Sequence, residues 1–196
     1  MPRVTALRAL RPGRVAVELD GALWRTLPLE VVVRAGLRVD EGLDRPRLRL
    51  LRRELRRHET LAAAGRALRN RDHSARELDR KLEQRGASAA ERLGALETLE
   101  RAGLVDDERF AARRAQALAD RGWGDAAIRV DLEGRDVATE LVEQALSTLE
   151  PERERAAALA ERRGGGVRAA RWLAARGFDA DALEGVIANE GGAALP

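Results

Sequence analysis

Leu82, Leu132 and Leu173 each follow another leucine by fourteen residues, namely Leu68, Leu118 and Leu159. Fourteen residues after them stand Leu96, Leu146 and Ile187, and thirteen after them Ala95, Ala145 and Val186. An apolar frame repeated three times restricts the chain to a repeat architecture. Each unit buries too little on its own and is completed by its neighbours. Four residues past each central leucine come Gly86, Asp136 and Gly177. A left-handed, helix-ending residue is expected there in at least the first and third copies.

Within the first copy, Leu61, Ala64 and Leu68 have helical spacing, as do Leu78 with Leu82 and Leu93 with Leu96, so each copy reads as three short amphipathic helices. Ser74-Ala75-Arg76-Glu77 and Ser88-Ala89-Ala90-Glu91 have the form of capping boxes, with Gly86 ending the helix between them. In the third copy Gly164-Gly165-Gly166 separates the first two helices, where connector flexibility explains the glycines, and Asp179 is the expected next N-cap.

The N-terminus follows a different period. Residues 4–10, 14–19 and 22–27 are alternating or β-branched, with Pro12-Gly13 and Asp20-Gly21 as turns. Asp-Gly favours a type I′ hairpin, in which both central residues take positive φ. A short helix over 28–35 is expected to stop at Gly36, and a longer one to begin near Pro46. The expected fold is therefore mainly α: tandem repeats of three-helix units, in three copies, with a small N-terminal β-hairpin element. Residues 1–44 form the hairpin module and 45–59 a basic helical connector. Residues 60–105, 106–150 and 151–190 are the three repeats, and 191–196 a disordered tail.

With 44% hydrophobic and 35% charged residues, the chain has enough apolar surface for a core, and 3% aromatics leave that core to Leu, Ala and Val. The absence of Cys removes disulfides and thiolate chemistry and suits a reducing cytoplasm. Arginines at 3, 8, 11 and 14 interrupt any apolar leader or span, so no membrane association is expected. His58 and His73 are the only histidines, and neither has a second histidine at metal-ligand spacing. For His73, turn packing and phosphate contact are both open. For Asp106-Asp107-Glu108, so are helix capping and cation binding. Trp123 and Trp172 suit either core packing or stacking on bases. The glycine triplet lacks the Gly-Lys-Ser/Thr ending of a phosphate loop. These residues make no catalytic constellation, and neither an enzyme nor a cofactor is expected.

Charge is the remaining signal. Net charge is only +3, yet seven arginines against Glu54 fill residues 45–57, which is either a solvated helix face or an attractor of polyanions. Residues 66–85 carry a net +3 and residues 152–177 a net +4, whereas residues 106–136 carry −2. Arg76 and Arg80 lie opposite Leu78 and Leu82 on their helix and point outward, able to reach phosphate or acidic protein.

The segment Arg71-Asp72-His73-Ser74-Ala75-Arg76-Glu77-Leu78, with Lys81-Leu82 and Arg85-Gly86, resembles the Ser-x-x-Glu-Leu-x-x-Lys-Leu segment of the RecX regulatory proteins, which modulate the RecA recombinase. Gly103-Leu104-Val105-Asp106-Asp107-Glu108-Arg109-Phe110-Ala111 resembles that family's Gly-Leu-hydrophobic-Asp-Asp-x-x-Phe-Ala motif. With Arg171-Trp172-Leu173-Ala174-Ala175-Arg176-Gly177-Phe178, the likeness covers about residues 60 to 190. It departs after Arg121-Gly122, where the family has a basic stretch and this chain has Trp123-Gly124-Asp125-Ala126-Ala127 before Arg129.

The resemblance implies a non-catalytic, monomeric regulator of DNA repair and recombination. It would lodge in the groove of the RecA–DNA filament and inhibit or modulate recombinase, ATPase and coprotease activities, with single- or double-stranded DNA as a further partner through phosphate contacts. The candidate contact residues are Arg69, Arg71, His73, Arg76, Arg80, Lys81, Arg85, Arg129, Arg168, Arg171 and Arg176. Gly103, Leu104, Asp106, Asp107 and Phe110 carry the family motif. The competing expectation is a helical-repeat module that binds nucleic acid directly through the arginines of residues 45–57.

Overall fold

Residues 1–188 are described by the structure, a computed structural model, so the tail expected at 191–196 lies outside the described residues. Strands β1 (Val4–Arg11), β2 (Arg14–Leu19) and β3 (Ala22–Pro28) form an antiparallel sheet in the order β1-β2-β3. Both Asp20 and Gly21 have positive φ, +48° and +85°, as a type I′ turn requires. Val4, Val15, Val17 and Leu27 from the sheet's inner face pack against Val31 and Val32 of helix α1 (Leu29–Arg34). Leu51 of α2 (Arg45–Asn70) completes that core.

Helix α2 starts where Asp44 accepts a hydrogen bond from the Arg47 amide at 2.8 Å, with proline in the first turn. Its 26 residues continue past residue 60, where the sequence reading placed a boundary between connector and repeat. No proline after Pro46 breaks it. Its apolar side serves two purposes in succession: Leu48, Leu51 and Leu55 meet the sheet module, and the small residues Ala64 and Ala67 are buried farther along, where α2 packs on α4 (Ala89–Arg101).

Two compact units make up the chain. The first takes residues 1–71 and 79–101; the second takes 72–78 and everything from 102 on. The division falls inside α3 (Ala75–Glu83), not between helical triplets. In the second unit, α5 (Asp107–Ala119), α6 (Asp125–Glu133) and α7 (Thr139–Ser147) enclose Phe110, Ala115, Leu118, Ile128, Leu132, Val142 and Ala145. Helices α8 (Glu152–Glu161), α9 (Gly166–Ala174) and α10 (Ala180–Ala188) enclose Ala156, Ala160, Ala169, Leu173, Phe178 and Val186.

The repeat frame governs this packing. Leu82, Leu132 and Leu173 are 2%, 0% and 0% exposed, and Ala95, Ala145 and Val186 are buried in all three copies. The position one residue later drifts, from half-buried Leu96 through buried Leu146 to exposed Ile187. Gly86, Asp136 and Gly177 all take positive φ, +82°, +57° and +80°. After each of them the next amide, of Ala87, Val137 or Phe178, donates back to the carbonyl of Leu82, Leu132 or Leu173 at 3.2–3.3 Å. This is a Schellman closure made three times, including once at an aspartate.

Candidate partner-binding surfaces

The second unit is built around a junction that occurs twice. At the start of α3, Ser74 Oγ donates to the Arg135 carbonyl at 2.6 Å and accepts from the Glu77 amide at 3.1 Å, while Asp107 accepts from the Ala75 amide at 2.7 Å. At the start of α6 the arrangement returns one copy later. The amides of Gly124 and Ala126 donate to the carbonyls of Arg176 and Gly177 at 2.9 and 3.1 Å, and Glu152 accepts from the Asp125 amide at 2.6 Å. In both cases the second helix of one copy begins on the end of the next copy's second helix, and an acid from the next copy's first helix caps it. A Cβ at Gly124 would overlap the Gly177 carbonyl and the Phe178 amide, and one at Gly177 would stand 2.7 Å from Ala127. Only glycine permits this approach. Burial pushes the Glu152 carboxyl up, against the amides of Asp125 and Asp179 that hold its charge. Beside it, buried Arg155 pairs with Asp125 and donates to the carbonyls of Trp123 at 3.0 Å and Glu150 at 2.9 Å.

These contacts assign most of the acidic motif to structure. Asp106 is the N-cap of α5 and accepts from the Arg109 amide at 2.9 Å, Asp107 serves the junction, and Glu108 accepts from Gln144 at 2.7 Å. The three carboxylates are thus committed to three separate donors: Asp106 caps its own helix, Asp107 caps α3 and Glu108 holds Gln144. Gly103 has φ +65° after α4, and Phe110 is in the core. Leu104 is the motif residue that packing leaves out, at 60% exposure.

The candidate cations are sorted by their partners. In the second copy, Arg129 is bidentate to Glu143 at 2.8 and 3.1 Å, a pairing that raises the guanidinium pKa and lowers that of the carboxyl. Arg114 grips Asp131 at 2.9 and 2.8 Å, and Arg135 joins at 2.8 Å. Together they hold the Asp131 carboxyl well below the usual carboxylate range despite its partial burial. In the third copy, Arg168 and Arg171 are exposed with no carboxylate partner among the described residues. Arg176 is half-buried, donates to the Arg121 carbonyl at 3.0 Å, and lies 5.2 Å from the Trp123 ring and 4.3 Å from the Trp172 ring. Its place is the junction. Trp172 packs against the third copy's core, one of its two expected roles, and both Trp123 and Trp172 also lie against arginine.

His73 is buried, its Nδ1 3.0 Å from Glu77, which sets it in the packing at the start of α3 and away from any surface. Arg69, Arg76 and Arg85 are exposed without a carboxylate partner among the described residues; Arg71 and Arg80 are exposed, and Lys81 is half-exposed. The α2 run is partly neutralised within its own unit, where Arg47 pairs with Glu41, Arg53 with Glu54 and Arg56 with Glu91. Sequence reasoning missed Arg162 and Arg163 as site residues. Both are exposed and, with Arg168, line a pocket of about 730 Å³ floored by Leu159, Ala169 and Trp172. The adjacent arginine pair before the glycine triplet was the available signal. No helix of the described residues is long and apolar enough to cross a membrane.

A family model described as RecX, second three-helix domain, matches residues 106–146, the α5–α7 triplet. The chain is 35% identical over 123 residues to regulatory protein RecX of Xanthomonas oryzae pv. oryzae (strain MAFF 311018), covering 58% of this chain and 77% of that protein. It is 36% identical over 136 residues to regulatory protein RecX of Halorhodospira halophila, covering 64% of this chain and 84% of the relative. A crystal structure of regulatory protein RecX shares the fold with a TM-score of 0.77 at 20% identity, over 94% of this chain and 98% of that one. RecX from Lactobacillus salivarius does so with a TM-score of 0.61 at 18% identity, over 68% and 96%. On this similarity across most of its relatives' length, the chain belongs to the RecX family of regulatory proteins.

Proposed function

We propose that the chain is a non-catalytic regulator that binds the RecA–DNA filament and lowers its recombinase, ATPase and coprotease activities. The observation that carries this is the uneven partnering of arginine: the third copy leaves five exposed guanidiniums, Arg153, Arg162, Arg163, Arg168 and Arg171, without a carboxylate among the described residues. Unpaired surface arginines give up little to bind an anionic partner, because no internal ion pair has to be broken first. Arg69, Arg76 and Arg85 of the first copy are available in the same way. Arg129 is not: its bidentate hold on Glu143 makes it a poor contact residue. The proposed boundaries follow the helical triplets, with the first copy's opening helix being the second half of α2.

The test is a titration of purified protein into RecA assembled on single-stranded DNA, following ATP hydrolysis and strand exchange. Both rates are expected to fall at substoichiometric protein. Rates unchanged across the titration would remove the proposal. Charge reversal of Arg76 and Arg80 to Glu is expected to weaken inhibition while helicity by circular dichroism is retained.

A further inference from the structure

In the second and third copies, the turn after the central helix accepts donors from the start of a helix one copy earlier. Ser74 Oγ donates to the Arg135 carbonyl at 2.6 Å, and the Gly124 and Ala126 amides to the Arg176 and Gly177 carbonyls at 2.9 and 3.1 Å. The first copy has the same turn. Arg85 and Gly86 stand three and four residues after Leu82, as Arg135 and Asp136 do after Leu132, and Arg176 and Gly177 after Leu173. Among the described residues, the Arg85 and Gly86 carbonyls accept no hydrogen bond. A Cβ on Gly86 would meet nothing within 4 Å, whereas one on Gly177 would stand 2.7 Å from Ala127 of the helix seated there.

The turn borders a concavity of about 330 Å³ within the first unit, between α2, the end of α3 and the start of α4. Glu59 of α2 lines it without a partner among the described residues. Asp107 and Glu152, the acids that complete the two junctions, likewise come from the first helices of their copies. Thr60 lines the concavity as well; it is 7% exposed, and its hydroxyl has no hydrogen-bond partner among the described residues. Carbonyls, carboxylate and hydroxyl together make a surface rich in acceptors. We propose that this concavity docks the first turn of a helix from another protein, opened by Ser or Thr with Glu three residues later.

The chain's own α3 defines that occupant. Its seated start is Ser74-Ala75-Arg76-Glu77, and Glu77 lies 3.7 Å from Arg135. Arg85 holds the place of Arg135, exposed and without a carboxylate partner among the described residues, so it selects an acid at the same point of the incoming helix. A bare cation is disfavoured by Arg56 and Arg85 at the concavity, whereas a helix start brings unpaired amides and no net charge. A second copy of this chain is disfavoured too. Of its central helices, α3 and α6 are already seated, and α9 carries Arg168 where α3 carries Glu77, five residues before the central leucine. Arg168 against Arg85 would set like charges together.

This surface is independent of the filament reading, and its test contains no recombinase. Three alanine-rich peptides of about 18 residues, long enough to be helical alone, are titrated into the isotope-labelled full-length protein and followed by amide NMR. One opens with Ser-Ala-Ala-Glu, one with Ser-Ala-Ala-Lys, and one carries the first box moved to its middle. The Glu peptide is expected to shift the amides of Arg85, Gly86 and Ala87 saturably, and the other two to bind at least about tenfold more weakly. Arg85→Glu is expected to reverse the preference between the Glu and Lys peptides. Glu59→Gln, at an exposed residue, is expected to weaken the Glu peptide by a few-fold with the spectrum otherwise unchanged. No saturable shift up to the solubility limit of the peptide overturns the proposal, as does equal binding of the moved-box peptide or an unreversed preference in Arg85→Glu. So does concentration-dependent self-association that Arg85→Glu abolishes, which would assign the surface to a second copy of this chain.

Discussion

The second and third copies share one backbone plan and use arginine in opposite ways. In the second copy, five of six arginines, at positions 109, 113, 114, 129 and 135, have a carboxylate within salt-bridge distance. In the third, Arg155 alone of seven does so among the described residues. The cause is visible in composition: eight acids in residues 106–136 against three in residues 152–177. One of those three, Glu152, is spent on the amides of Asp125 and Asp179. The same fold thus yields a neutralised, internally braced copy and an electrically open one. Substitutions should cost stability in the first and binding in the second.

The most damaging change to this comparison is at the join itself. Gly124→Ala drives a methyl group into the Gly177–Phe178 backbone and is expected to lower stability by about 3 kcal/mol, read by urea denaturation. A cost under about 1 kcal/mol would mean that the two copies are not closely seated. Next comes Asp131→Asn, which strips two guanidiniums of their charged acceptor and is expected to cost about 1–2 kcal/mol at neutral pH. The sign with pH is fixed. The folded state holds Asp131 below its ordinary value of 3.8, so its contribution is fully present above that pH and is lost as pH falls through the acid range. Wild type and variant should converge there; a gap that persists in acid would show that charge is not the cause.

Trp172→Leu should be milder still, costing about 1 kcal/mol through lost stacking with Arg163 and Arg176, with thermal melting as the readout. The smallest expected effect is Arg168→Gln, within about 0.5 kcal/mol of wild type in stability. If that exposed arginine proved as costly as Asp131, the contrast between braced and open copies would collapse.

Much of this fold could be read from the chain because its repeat frame is local. The spacing around Leu82, Leu132 and Leu173 specifies helices, and the residue four positions on specifies where they end, even at Asp136. The Asp20-Gly21 turn and the start of α2 were legible for the same reason: cap and turn chemistry acts within a few residues. The continuity of α2 was not, since a change in what a helix packs against leaves no break in its sequence. The site was less legible than the fold. Arg168 and Arg171 emerged as exposed cations. Arg129 and Arg176 look identical to them in sequence but are occupied by Glu143 and by the Arg121 carbonyl, partners that only tertiary structure supplies. His73 likewise vanished into packing against Glu77, and the pocket arginines 162 and 163 entered the sequence reading only through a net charge, although their pairing before the glycine triplet marked them.

The junction at Gly124 has a consequence for how the molecule is made. The amides of Gly124, Asp125 and Ala126 find their acceptors on Arg176, Glu152 and Gly177, all later in the chain. During synthesis, the second copy therefore leaves the ribosome with the start of α6 still uncapped. It must wait about fifty residues for the turn after α9 before that helix can be closed. A chain released early would leave its last copy unfinished, and trimming from the C-terminal side would harm the copy before the cut.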